Sequence, residues 1–84
     1  MINFFYHNYK SSSKLLIFKT NIKTKKKVKN IKPFFDNHSS VIKWSIDIED
    51  IDNVLKIEAT TNSSENDFIN QIKALGFYCD VLAD

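Results

Sequence analysis

The sequence predicts an α+β domain, a ferredoxin-like βαββαβ sandwich whose four-stranded antiparallel sheet carries both helices on one face. Three observations lead there. Apolar residues switch between the period of two of half-buried strands and the longer period of amphipathic helices, in the order β, α, β, β, α, β. At 84 residues and 43% hydrophobic the chain can build one small core and nothing larger. Two split βαβ units with right-handed crossovers place the strands in one antiparallel sheet.

Lys14 to Ile22 is the first strand. Leu15 and Ile17 alternate with Leu16 and Phe18, so both faces read as apolar, the pattern of a central strand buried on both sides. The period then lengthens. Val28, Ile31 and Phe35, with Phe34 beside them, line one face of a helix whose N-cap is Thr24, a hydroxyl able to accept a first-turn amide. Pro33 removes one backbone bond inside that helix and predicts a kink or an early last turn.

Val41 to Ile48 alternates, with Ile42, Trp44, Ile46 and Ile48 on one face and Lys43, Ser45 and Asp47 on the other. The acidic turn Glu49 to Asn53 joins it to Val54–Thr60, where Leu55, Ile57 and Ala59 point inward, and the pair reads as a hairpin. Trp44 is expected at the core centre opposite Phe35 and Phe68, its indole N–H reaching an acceptor at the rim. After the loop Thr61 to Ser64, Ser64 and Asp67 resemble a capping box that opens a second helix with the stripe Phe68, Ile69, Ile72, Leu75. Gly76 supplies a left-handed stop, and Phe77, Cys79 and Val81 alternate inward along a last strand. Residues 1–13, with Phe4, Phe5, Tyr6 and Tyr9 but no sustained period, read as a flexible tail ahead of a domain spanning 14–84.

Charge is divided along the chain. Residues 1–35 hold nine lysines and no carboxylate, and residues 36–84 hold three lysines against ten Asp and Glu, although the net charge is only +2. Such a split fits an acidic partner, pairing between the two halves, or no specific use at all. The chain has no arginine, which argues against phosphate-fork and base recognition, and so does its acidic second half; nucleic acid is not the expected partner.

The longest apolar run, Leu15 to Phe18, is too short to cross a bilayer, so no membrane association is expected. With a single cysteine, Cys79, and no cleavable leader pattern, the expectation is a cytoplasmic protein. Cys79 reads as a buried structural thiol, His38 as a satisfied residue at the end of the first helix, and His7 has no evident partner. Glu49, Asp50 and Asp52 lack the length, central glycine and distal glutamate of a calcium loop. No catalytic arrangement of Ser, His, Cys or paired carboxylates and no glycine-rich phosphate loop is present; an enzyme is not expected, and no cofactor is implied.

From about Leu15 to Leu82 the order and spacing resemble the heavy-metal-associated domain of small copper chaperones and of the N-terminal modules of copper-transporting ATPases. The hairpin WSIDIEDIDNVLKIEA resembles that family's second and third strands, and FINQIKALGFYCDVL its second helix, glycine stop and last strand. In the family the loop after the first strand carries Gly-Met-x-Cys-x-x-Cys, two thiolates for a soft metal. The resemblance sets Asn21 and Ile22 at the Gly-Met positions and Thr24 and Lys27 at the two cysteines, so both ligands are missing. Hydroxyl and ammonium groups are poor ligands for Cu(I).

What the resemblance implies is the fold without its usual chemistry. Lys23, Thr24, Lys25, Lys26 and Lys27 take the place of the metal loop at a helix N-terminus, a position that already favours anions. They form the candidate site, a lysine-rich loop for an acidic protein or a small anion; basic faces beside the metal loop also serve docking in some members of the family it resembles. The alternative is a metal carrier using nonstandard ligands such as Cys79, a histidine and a second chain. The chain is expected as a monomer or in weak self-association, with pairing of basic loop and acidic hairpin in head-to-tail fashion as one form of it.

Overall fold

The structure, a computed structural model, describes residues 13–82. The aromatic tail, apart from Ser13, and His7 lie outside the described residues. The elements follow the expected order: β1 (Ser13–Thr20), α1 (Lys25–Asp36), β2 (Val41–Asp47), β3 (Val54–Thr60), α2 (Glu65–Ala74) and β4 (Cys79–Val81). All pairings are antiparallel and the strand order is β2-β3-β1-β4, the four-stranded sheet of a small ferredoxin-like α+β fold.

Both helices begin where a hydroxyl can cap them. The Thr24 side chain accepts the Lys27 amide at 3.1 Å, and the Ser64 side chain accepts the Asp67 amide at 3.4 Å. Helix α1 runs past Pro33 to Asp36, so the bond that the proline nitrogen cannot donate does not end the helix there. Helix α2 stops at Gly76, whose φ of +98° is open to glycine and strained for other residues.

Leu16 pairs with Ile57 and Phe18 with Leu55, so the inward residues of the two central strands stand opposite each other. Together with Ile31 and Phe35 of α1 and Phe68 and Ile72 of α2 they form one core, and both helices therefore cover the same face. Among the described residues no element covers the opposite face. This corrects the expectation that β1 is buried on both sides: Leu15 is 60% exposed and Ile17 half-buried, although β1 is a central strand. Period and composition report that a strand is apolar, but the number of helix layers decides how many of its faces are covered.

The second strand departs from simple alternation. A bulge between Val41 and Lys43 lets Val41 oppose Ala59 and pack on the core, and turns Ile42 out to 44% exposure. Ile48 lies beyond the strand in the turn. Trp44 packs against the core from an edge strand and is half-buried, with Phe35 at 4.9 Å between ring centroids. Phe68 is occupied instead by the His38 ring, stacked at 4.9 Å. The rim acceptor of the indole is Asp36, at 2.9 Å. Asp36 also pairs with Lys32, and that ammonium group first, then the indole N–H, hold its carboxyl below the ordinary value.

Candidate functional site

The loop from β1 to α1 is tied down before it becomes polar. Thr20 donates its amide to the Asp52 carbonyl at 3.0 Å and its hydroxyl to the Asn53 carbonyl at 2.8 Å, while the same hydroxyl accepts the Ile22 amide at 3.1 Å. The Asn21 side chain accepts the Tyr78 amide at 2.8 Å. Ile22, fully buried although outside the strand, plugs the loop into the core. One loop is thus bonded to the β2–β3 turn on one side and to the α2–β4 connection on the other.

From this base Lys23, Thr24, Lys25, Lys26 and Lys27 all face solvent. Only the Lys27 amide is taken by the cap, and the first intrahelical bond is Val28 to the Thr24 carbonyl. The amides of Lys25 and Lys26 therefore have no acceptor within the helix. The first turn holds no acidic residue. Cations, free amides and the positive end of the helix dipole thus act in the same sense at one place, which an anion would relieve. The positions that the resemblance assigns to two thiolates are joined here by the cap bond between Thr24 and Lys27.

Sequence reading missed what lies beside this loop. Because β1 and β2 run parallel across β3, the β1–α1, β2–β3 and α2–β4 connections all emerge at one end of the sandwich. Lys23 and the first turn of α1 therefore share an end with Asp47, Glu49, Asp50 and Asp52, and the charge division along the chain is folded back on itself. Among the described residues the one ion pair is Lys32 with Asp36, so the lysines and acids at that end do not pair with each other; Asp47, Glu49 and Asp50 are exposed and Asp52 is half-buried. The hairpin turn is hydrogen-bonded within itself. Asp47 and Asp50 accept the amides of Glu49 and Asp52 at 3.0 and 2.8 Å. Asn53, buried and at a φ of +44°, donates its side-chain amide to the carbonyls of Ile48 and Asp50. An asparagine after an acidic run was the available signal, since asparagine tolerates the left-handed region. At the tip this turn projects Ile51, 94% exposed.

The other candidate residues are accounted for structurally. His38 accepts the Ser40 amide on Nδ1 at 3.1 Å, which leaves the hydrogen on Nε2 for Gln71 Oε1 at 2.9 Å. Its ring lies against Phe34 and Phe68 at the edge of a polar depression of about 150 Å³. Among the described residues no group of three or more His, Cys, Asp and Glu side chains is placed to hold a metal ion. No helix among them is long and apolar enough to cross a membrane.

Cys79 is fully buried on β4 opposite Thr20. Burial first, then the Asp80 carboxylate, push its thiol up from an ordinary 9.0 to about 11. The folded state therefore holds this proton more tightly than the unfolded chain does. Stability is unaffected below the unfolded value and falls as pH rises from there to about 11. A thiol reagent at neutral pH is expected to modify native Cys79 only as fast as the domain opens; labelling as rapid in buffer as in denaturant would show the thiol to be accessible. No protein-family model, characterised protein or solved structure matches this chain.

Proposed function

We propose that the chain is a small binding module with the heavy-metal-associated fold that has lost its soft-metal site and docks an acidic protein surface or anion on Lys23, Thr24, Lys25, Lys26 and Lys27. The observation that carries this reading is the first turn of α1, where exposed lysines surround unbonded amides with no carboxylate in the turn to answer them. The neighbouring acidic hairpin restricts the partner. A broad negative surface would meet Glu49 and Asp52 as well as the lysines, so a compact anionic feature fits better than an extended one. Burial of Cys79 and its raised thiol weigh against the carrier alternative, because a soft metal needs an exposed thiolate.

An amide-resolved NMR titration with a short polyglutamate peptide tests it. The largest shifts are expected at Lys23–Val28, shrinking with added salt as the Debye length falls below about 10 Å. They should vanish in the Lys25→Gln/Lys26→Gln/Lys27→Gln variant. Shifts of unchanged size in that variant would exclude the lysine loop as the site.

A further inference from the structure

The lysine end of the sandwich carries both halves of an interface. The first turn of α1 offers cations, the β2–β3 turn offers Glu49, Asp50 and Asp52, and Ile51 stands between those acids at 94% exposure. Tyr78 and Leu75, 46% and 44% exposed, flank the third connection at the same end. The connections at the far end, 37–40 and 61–64, contain no lysine. A surface that bears opposite charges side by side is complementary to a copy of itself turned over.

We propose that this end is an isologous interface between two copies of the chain, in which the lysine turn of each faces the acidic hairpin of the other. This rests on the reading above and names the acidic partner as the β2–β3 turn of a second copy. The layers support it. Helix α1 packs on β2 through Phe35 and Asp36 against Trp44, and its first turn lies in the helix layer at the same end as the hairpin, which lies in the sheet layer. A two-fold axis running across the strands sets the helix layer of one copy against the sheet layer of the other, and the lysine-to-acid contact occurs twice. The same rotation brings Tyr78 toward the end of α2 and Leu75 of the second copy, while Ile51 loses water against its surroundings. Head-to-tail pairing would instead set this end against the far end, whose connections carry no lysine, and leave an open filament. One end of a domain this small offers less than a standard interface, so the dimer is weak and depends on salt.

Sedimentation velocity over a concentration series, at low and high ionic strength, tests the proposal on the full chain. The expected result is a monomer–dimer equilibrium that high salt shifts to monomer. Lys25→Glu/Lys26→Glu/Lys27→Glu should be monomeric throughout, and so should Glu49→Lys/Asp52→Lys, which spares the turn-forming Asp50. An equimolar mixture of the two variants should restore the dimer. Ile51→Ser, whose side chain supports no core contact, should weaken it about tenfold or more while leaving the circular dichroism unchanged. A wild-type chain that stays monomeric to its solubility limit at low salt overturns the proposal. So does a dimer indifferent to Ile51→Ser and to lysine reversal, or a mass that keeps growing with concentration. A monomer that still shows polyglutamate shifts at Lys23–Val28 would refute only the self-association and leave the docking reading standing.

Discussion

Phe18→Ala is expected to lower the unfolding free energy by about 3–5 kcal/mol. Phe18 is fully buried, opposite Leu55 on β3 and Val81 on β4, so its ring fills the junction of three strands under both helices. A domain of this size has about 5–15 kcal/mol in total, and the variant should be partly unfolded near physiological temperature. Urea unfolding followed by Trp44 fluorescence reads the effect. Leu15→Ala, three residues earlier on the outer face at 60% exposure, should change stability by less than about 1 kcal/mol. A slip of one residue in β1 would exchange the two faces, so comparable losses from both variants, or a larger one from Leu15→Ala, would refute the register.

Thr20→Val should cost about 2–4 kcal/mol although it preserves shape and strand preference. The hydroxyl bridges the Asn53 carbonyl and the Ile22 amide, and valine leaves both without that partner in a buried setting. The loss has a functional side. These bonds fasten the lysine-bearing loop to the acidic hairpin, so amide exchange at Ile22 and Asn53 should quicken more than the global destabilisation alone accounts for. Thr20→Ser retains the hydroxyl and should recover most of the protection. Equal stability of the valine and wild-type chains would mean that the bridge contributes nothing to anchoring the site.

Much of the fold was legible because its signals are local. Thr24 and Ser64 cap the helices they were expected to cap, Gly76 stops α2 in the left-handed region, and β2 and β3 form a hairpin around the acidic turn. Each of these depends on residues within a turn or two of one another. Burial was less legible. Ile42 alternates correctly in sequence yet faces out because of the bulge, and Trp44 is large and apolar yet lies on an edge strand. Nothing in their neighbours announces either outcome.

The candidate site divides in the same way. The lysines, the cap and the absence of the two cysteines of the resembled motif were all readable from residues 20–28. What the sequence by itself determined is the order of elements, the sites of their caps, and a chain basic in its first part and acidic in its second, because these follow from neighbours along the backbone. Only the tertiary structure decided which face of β1 is covered and that the basic and acidic parts meet at one end. The bond from Thr20 to Asn53 spans 33 positions, and antiparallel pairing through β3, not proximity in sequence, brings those charges together.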